Sequence, residues 1–393
     1  EQYGYAQTDA RSDIYSLGVV LNWLLHGAAE PLQNAGTPLE KVLQRMTAFD
    51  PRRRYASAAQ AKQALLGALS LRRRRALLGI AAALHQNSAI DYIREKKISQ
   101  PIVYILACRI GPFMKGLVRK IHELGGVVYI NPDGHEWMRG KWAKPVRRYW
   151  KYSEKLMVKH ADKIICDSIN MEKYIKEEYR LYSPVTTYIS YGAEPALDID
   201  EKTAKRLDEW LSEHSLSKKD YYLIVGRFVP ENNYEAMIRE FMASDTTRSL
   251  AIITTDNEKY RSQLETRLGM SGDRRISFVG TVYEPGLLAA IRKNAYAYIH
   301  AHEVGGTNPS LLEALAATDL NLLLDVGFNR EVGLDGALYW TKEKGSLSAL
   351  ISHAESLTPD EISSLSSTAK SRIAENYSWE FIADEYEKIF RAV

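Results

Sequence analysis

The stretch HAHEVGGTNPSLLEA, residues 300–314, contains the parts of a ligand-binding turn between a strand and a helix. The apolar run just before it predicts a strand, and a glycine pair follows. Asn308 is the predicted N-cap of a helix that begins at Pro309 and continues to residue 317. Glycines let a ligand approach the backbone, and the free amides of a helix start favour a phosphate group. An ordinary capped turn explains these residues as well as a nucleotide diphosphate site does.

Outside this stretch, short apolar runs alternate with helical segments in two series. The first series has predicted strands at residues 102–107, 127–130, 163–166 and 186–189, and the second at 221–225, 250–254, 276–279, 296–299 and 321–324. Such alternation is typical of parallel βαβ units. The chain is therefore expected to be an α/β protein with two Rossmann-like domains that face each other across a cleft.

Polar residues follow several of these strand ends, where open α/β sheets bind their ligands. Gly226 and Arg227 directly follow the strand at 221–225, and the Arg227 guanidinium can bind a diphosphate bidentately. Glu313 lies one helical turn beyond Pro309, where a carboxylate can accept hydrogen bonds from a ribose diol. Asp133 and Glu136 follow a third strand end, where they either bind the hydroxyls of a sugar acceptor or belong to a capped turn.

The segments GGTNPSLLEA (305–314), VGRFVPENN (225–233) and NPDGHEW (131–137) resemble the retaining GT-B glycosyltransferases of family 4. Within that family, the chain is most similar to the rhamnosyltransferases of bacterial capsule and rhamnan synthesis, over about residues 87–393. The resemblance implies metal-independent transfer of a sugar, with L-rhamnose from dTDP-rhamnose as the expected donor. The expected acceptor is a lipid-linked saccharide or a polysaccharide, at the cytoplasmic face of the plasma membrane. Neither a cofactor nor a nucleic-acid partner is expected.

Carried over to this sequence, the resemblance implies two sets of site residues. The expected catalytic set is Glu303, Asp133 and Glu136. The expected donor-binding set is Gly226, Arg227, Asn232, Thr281, Tyr283, Gly305, Gly306, Thr307, Asn308 and Glu313. Two positions depart from the wider family, because Asn232 stands in place of a lysine and Gly305 in place of the first glutamate of the Glu-x7-Glu motif. Either Glu303 or backbone groups are then expected to face the sugar. His300 and His302 are one strand-end pair, which does not make a metal site.

The first 70 residues resemble a different family. The segments EQYGYAQTDARSDIYSLGVVLNWLLHG (1–27) and FDPRRRYASA (49–58) resemble the C-lobe of a bacterial Ser/Thr protein kinase. That resemblance implies a buried ion pair between Glu1 and Arg54 and a bracing role for Asp13. The phosphate loop, the strand lysine and the catalytic loop of a kinase are missing from the sequence, so kinase activity is not expected.

Four arginines at 72–75 and an apolar run at 76–84 follow this segment. Nine apolar residues are too few to span a bilayer, so the run is either a truncated membrane span, which we favour, or a helix with a basic start. The predicted organisation is a helical kinase-like fragment (1–70), a junction (71–86), a Rossmann-like acceptor domain without its first βα unit (87–200), a Rossmann-like donor domain (201–375) and a closing helix (376–393). A second hypothesis is a non-catalytic fusion of truncated pieces that at most binds nucleotide.

Composition adds few constraints. The 393 residues carry a net charge of +3, with 45% hydrophobic and 26% charged residues, which is typical of a globular protein and does not favour nucleic acid. Cys108 and Cys166 lie in apolar runs and are expected to be buried thiols. Basic and aromatic residues cluster over 142–152, a pattern that fits either an anionic membrane surface or a solvated helix face.

Overall fold

The structure is a computed structural model, which describes residues 89–139, 142–194 and 199–392 throughout. Of the first 88 residues it describes 15, 18–19, 21–22, 36–48, 50–57, 60–61 and 63–65. The chain divides into two compact units, residues 1–99 and 100–393.

The first unit has a small core around helix α1 (Pro38–Met46). Thr37 caps this helix, since its hydroxyl accepts from the Glu40 amide at 3.2 Å and the Glu40 carboxylate accepts from the Thr37 amide at 2.9 Å. Leu43 and Met46 pack with Tyr55 in the core. Arg54 is buried, and its Nε donates to the Ala48 carbonyl at 2.7 Å. Glu1 and Asp13 lie outside the described residues, so the kinase-like assignment stays a prediction, as does that of the run 76–84.

The second unit begins with a parallel sheet of four described strands: β1 (Ile102–Leu106), β2 (Val127–Asn131), β3 (Lys163–Cys166) and β4 (Thr186–Tyr188). Their order in the sheet is β1-β2-β3-β4, and every neighbouring pair is parallel. The connecting helices are α2 (Gly111–His122), α3 (Lys144–His160) and α4 (Ile169–Glu178). Strand β1 lies at an edge of this sheet.

A second parallel sheet follows, with β5 (Tyr221–Val225), β6 (Ser249–Ile253), β7 (Ile276–Phe278), β8 (Ala297–His300), β9 (Asn321–Leu324) and β10 (Leu338–Trp340). The order is β10-β9-β8-β5-β6-β7, so the direction of winding reverses between β5 and β8. Such a reversal opens a crevice at the carboxyl ends of the two central strands. The associated helices are α5 (Glu201–Glu213), α6 (Tyr234–Met242), α7 (Glu258–Leu268), α8 (Pro285–Asn294), α9 (Pro309–Ala317), α10 (Gly327–Gly333) and α11 (Ser346–Ser356).

Two final helices connect the sheets. Helix α12 (Pro359–Asn376) packs Ala369 and Ile373 with core residues of the second sheet. Helix α13 (Trp379–Arg391) crosses back to the first sheet, where Ile382 joins the core and the Tyr386 hydroxyl lies 3.1 Å from that of Tyr104. The last predicted helix therefore lies against the acceptor-side sheet.

The α/β class and the two parallel sheets predicted from the sequence are confirmed. Asn308 caps α9, as predicted, and Asp200 caps α5. Cys108 and Cys166 are buried and free, again as expected. Strand β10 was missed. Within the described part of the chain, no helix has the length and apolar character needed to cross a membrane.

Candidate functional site

A cavity of about 330 Å³ lies at the reversal of strand order in the second sheet. Its walls come from the end of β5, the end of β8 and the start of α9, including Gly226, Arg227, His300, His302 and Asn308. Open α/β sheets bind nucleotides at this position, because the two neighbouring loops leave it in opposite directions. The cavity contains four of the predicted donor-binding residues: Gly226, Arg227, Asn232 and Asn308.

The start of α9 forms one wall of this cavity. Asn308 has an extended backbone, and its side-chain oxygen accepts from the Ser310 amide at 2.9 Å. Pro309 occupies the first helical position, where the lack of an amide proton costs nothing. The helix therefore begins at the cavity and presents the positive end of its dipole there, which favours an anionic group.

Arg227 contributes a positive side chain to the opposite wall. The residue is exposed, and no described carboxylate forms an ion pair with its guanidinium. Its backbone is fixed instead, since Asn232 donates to the Arg227 carbonyl at 2.8 Å. The other side-chain atom of Asn232 lies 2.8 Å from Nδ1 of His302, so the loop after β5 is tied to the loop after β8. The guanidinium is thus available for a ligand anion.

His300 and His302 add neutral rings to the cavity. Burial lowers the pKa of His300 to about 3 and that of His302 to about 4, so both are uncharged near pH 7. Nδ1 of His300 lies 3.3 Å from the Tyr298 hydroxyl, and Nε2 has no hydrogen-bond partner among the described residues. From the sequence, the two histidines were not expected to form a metal site, and no other role was predicted for them. Both line the cavity.

Glu313 and Glu303 are held by cations at different places. Glu313 lies on α9 with half of its side chain exposed, and one carboxylate oxygen is 2.6 Å from the buried Arg292 guanidinium. Glu303 accepts from Lys342 at 2.7 Å and from Asn233 at 2.6 Å, and it does not line the cavity. Burial would raise the pKa of Glu303, but the hydrogen bonds from these two residues outweigh it and hold the pKa below its usual range.

Thr281 and Tyr283 follow β7 and are exposed outside the cavity lining. The remaining predicted donor residues, Gly305, Gly306 and Thr307, form the loop before α9. The Thr307 hydroxyl donates to the backbone carbonyl of Asp167 at 2.8 Å. This loop therefore contacts the first sheet instead of facing solvent.

The loop after β2 also packs on the loop of residues 305–307, which we call the glycine loop. Asp133 adopts a left-handed backbone with φ of 59°, and its carboxylate accepts from the Gly134 amide at 2.9 Å. A Cβ added to Gly134 would lie 2.5 Å from Cα of Gly305, which leaves room only for glycine. Asp133, a predicted catalytic residue, thus lies where loops of the two parallel sheets meet.

Glu136 anchors the same loop. It is buried, and its carboxylate accepts from the Trp142 indole at 2.7 Å and lies 2.7 Å from the Arg139 guanidinium. A Cβ on Gly305 would lie 3.9 Å from the terminal nitrogen of Arg139, so Glu136 directs a cation toward the glycine loop. Trp142 and Arg139 thus contact different oxygens of the Glu136 carboxylate.

Asp167 is the residue that sequence reasoning missed. It directly follows β3, is 2% exposed, and its Oδ1 has no hydrogen-bond partner among the described residues. Burial and then the nearby carboxylate of Asp133 raise its pKa to about 7. Since each pH unit of such a shift corresponds to about 1.4 kcal/mol, the ionised form costs the folded state on the order of 4 kcal/mol. The available signal was its place directly after an apolar strand, the argument that identified Arg227.

Comparisons with known proteins agree with this architecture. Residues 74–194 match a domain of unknown function, DUF1972. Among solved structures, the chain is similar to a glycosyltransferase from Rickettsia africae (12% identity, TM-score 0.64, 79% of this chain and 81% of that one). It is also similar to an α,α-trehalose-phosphate synthase (UDP-forming) from Burkholderia vietnamiensis (14%, TM-score 0.62, 83% and 81%).

A third similar structure is HepE from Anabaena in complex with UDP (13%, TM-score 0.59, 80% and 82%). A comparison with curated protein sequences finds no significant match. At such low identities these similarities show the fold, and the α/β fold with its parallel sheets is that of the GT-B glycosyltransferases.

Proposed function

We propose that the chain is a glycosyltransferase that binds a nucleoside-diphosphate sugar in the cavity of the second sheet. One observation carries this proposal: the guanidinium of Arg227 and the first turn of α9 line the same cavity, at the point where the strand order reverses. A diphosphate is the ligand group that suits both, because it can accept bidentately from a guanidinium and is attracted by the positive end of a helix dipole.

The same groups meet the chemical demand of sugar transfer. The departing diphosphate gains negative charge as its bond to the sugar breaks, so fixed donors around it lower the barrier. Arg227 supplies a full positive charge and α9 a partial one, while His300 and His302 contribute neutral rings. With the part of its carboxylate that Arg292 leaves exposed, Glu313 can accept from the 3′-hydroxyl of the nucleoside, which dTDP and UDP share. Transfer by these groups requires no metal.

The proposed donor is dTDP-rhamnose, which the resemblance of residues 87–393 supports. UDP-glucose is the competing donor, since UDP appears in the description of one similar structure and UDP-2-fluoroglucose in that of another. The two nucleotides differ at the base and at the ribose 2′-hydroxyl, which the Glu313 region would contact. The sugars differ in their hydroxyls.

Calorimetric titration of the full chain tests this proposal. We expect dTDP to bind with higher affinity than UDP, and dTDP-rhamnose to be converted to dTDP when a prenyl-diphosphate-linked N-acetylglucosamine is present. A preference for UDP would rule out the rhamnose donor and leave the transferase proposal standing. Absence of binding by dTDP, UDP and both nucleotide sugars would overturn the transferase proposal itself.

The proposed acceptor is lipid-linked, and a basic face at the start of α3 supports contact with an anionic membrane surface. This face has a concavity of about 300 Å³, which is lined by Trp137, Lys144, Arg147, Arg148 and Lys151. Arg147 and Lys151 have internal partners, the Trp137 carbonyl at 2.6 Å and Glu178 at 2.8 Å. Lys144 and Arg148 are exposed, and no described carboxylate pairs with either.

Exposed aromatic side chains accompany these cations. Tyr149 is 43% and Tyr152 is 55% exposed, one turn and two turns into α3. Aromatic rings beside lysines and arginines are typical of surfaces that lie in the headgroup region of a bilayer.

Charge reversal at Lys144 and Arg148 together should abolish sedimentation with phosphatidylglycerol-containing vesicles. Binding of the wild type should weaken as salt rises and be absent with pure phosphatidylcholine, because the attraction is electrostatic. Charge reversal of the exposed Lys202 and Lys205 on α5 provides the matched control. If both double variants bind vesicles equally, the α3 face is an ordinary solvated surface.

The second candidate is a protein that binds nucleotide without transferring sugar. The first sheet favours it, because its described strands run in simple order without the reversal that opens a crevice, and Leu106 at the end of edge strand β1 is 68% exposed. Product formation separates the two candidates, since a non-catalytic protein would bind dTDP and release none from dTDP-rhamnose.

A further inference from the structure

Asp167 and the glycine loop form a close contact between the two parallel-sheet halves of the second unit. A Cβ added to Gly306 would lie 2.0 Å from Oδ1 and 2.3 Å from Oδ2 of Asp167. The carboxylate therefore lies flat against the residue that precedes Thr307, whose hydroxyl is bonded to the Asp167 carbonyl. Both ends of the same aspartate thus contact the loop that leads into α9.

We propose that Asp167 accepts a hydrogen bond from a hydroxyl of the donor's sugar, and so helps to determine which sugar is transferred. This inference rests on the proposed function. With the diphosphate at Arg227 and the start of α9, the attached sugar extends from that point along the loop that precedes Asn308. Asp133 and Asp167 approach this loop from the first sheet.

The surroundings of Asp167 select the kind of group that can bind there. The acidic neighbours are Asp133 after β2 and Glu331 on α10, and both disfavour its ionised form. Glu331 is already bonded to the amides of Ile169 and Asn170, and Tyr191 and the Arg139 guanidinium also lie in this region. No ion pair reaches Asp167 among the described residues.

A second phosphate is disfavoured at this position, because it would face several acids. A sugar hydroxyl is neutral and donates a proton, and buried polar atoms without a partner are costly, so the hydroxyl satisfies the orphaned Oδ1. Sugars differ in the direction of their hydroxyls, and a single fixed acceptor therefore discriminates among them.

The test compares nucleotide and nucleotide-sugar affinities in the wild type, Asp167→Ala and Asp167→Asn. We expect Asp167→Ala to weaken the better-bound of dTDP-rhamnose and UDP-glucose by about tenfold, while the matching nucleoside diphosphate changes less than about twofold. Asp167→Asn, which keeps an acceptor oxygen, should lose less. Asp208→Asn removes an exposed carboxylate on α5 and should change neither affinity.

Equal weakening of nucleotide and nucleotide sugar, or no weakening of either, would overturn the role of Asp167 while leaving the proposed function intact. Failure of the wild type to bind any of the four ligands would overturn the proposed function instead. The two failures are therefore distinguishable in one set of titrations.

Thermal unfolding of the ligand-free protein provides an independent readout. The pKa of Asp167 is raised in the folded state, so the native protein binds more protons than the unfolded chain between about pH 4 and 7. Its contribution to stability is present at low pH and is lost as the pH rises through 7. The Tm of Asp167→Asn minus that of the wild type should therefore increase from pH 4 to pH 8. A constant difference would show that the carboxylate is not buried against the loop, and would overturn the inference.

Discussion

Replacing Arg227 by alanine should weaken the binding of a nucleoside diphosphate by about 30- to 160-fold. A charge-assisted bidentate contact to phosphate contributes about 2–3 kcal/mol, and removing the guanidinium deletes the one full positive charge assigned here to the diphosphate. The Tm should stay unchanged, because the side chain is exposed and only the backbone of Arg227 is held, by Asn232. Calorimetric titration with the better-bound of dTDP and UDP gives the affinity.

Two further variants make this prediction specific. Arg227→Lys keeps the charge but loses the planar fork, so its affinity should fall between those of the wild type and Arg227→Ala. Arg119→Ala removes an exposed arginine on α2, remote from the cavity, and should bind like the wild type. Wild-type affinity in Arg227→Ala would show that the diphosphate does not occupy this cavity.

Replacing Gly306 by alanine should destabilise the fold by about 1–3 kcal/mol, the usual cost of overpacking a filled site. The new Cβ would lie 2.0 Å from Oδ1 of Asp167, so either the buried Asp167 side chain or one of the two loops must move. Gly116→Ala is the matched control, since a Cβ there meets no atom within 4 Å and alanine favours the helix over glycine by about 0.5–1 kcal/mol. Urea unfolding midpoints measure both changes.

The double variant Gly306→Ala, Asp167→Ala identifies the cause. If the carboxylate is the obstacle, its removal should restore part of the stability that Gly306→Ala loses, giving a non-additive pair. Strict additivity would mean that the glycine is required for another reason. A Gly306→Ala protein as stable as Gly116→Ala would show that Gly306 and Asp167 do not pack together in solution.

Much of the fold could be predicted from the sequence, because continuous apolar runs between turn signals identify buried parallel strands. The predicted strands at 163–166, 221–225 and 321–324 have the observed bounds. Strand β10, Leu338–Trp340, was not predicted, although it is no shorter than β4 or β7, which were. The cap at Asn308 was predictable, since it depends on residues next to it in the chain.

The site was only partly predictable, and the reason is sequence separation. Glu303 pairs with Lys342, 39 residues away, and the Thr307 hydroxyl reaches Asp167, 140 residues away. No local pattern records such partners. The rule that ligand-binding residues follow strand ends located Arg227. It could not show that the Glu136 carboxylate accepts a hydrogen bond from Trp142, or that the Asp167 carboxylate packs against Gly306. The proposed discrimination among donor sugars rests on one of these long-range contacts, the packing of Asp167 against the loop before α9.

The chain passes between the two parallel sheets twice, and this limits how the sheets can move relative to each other. The amide of Ala193, on the connection that leaves the first sheet, donates to the carbonyl of Tyr377, on the connection that returns to it, at 2.7 Å. Two neighbouring connections that are hydrogen-bonded to each other restrict the relative motion of the two sheets to rotation about one axis. A single connection would allow rotation about several axes. We therefore expect the two sheets and their helices to move apart by rotation about this pair of connections, with ligands entering from the side opposite to it.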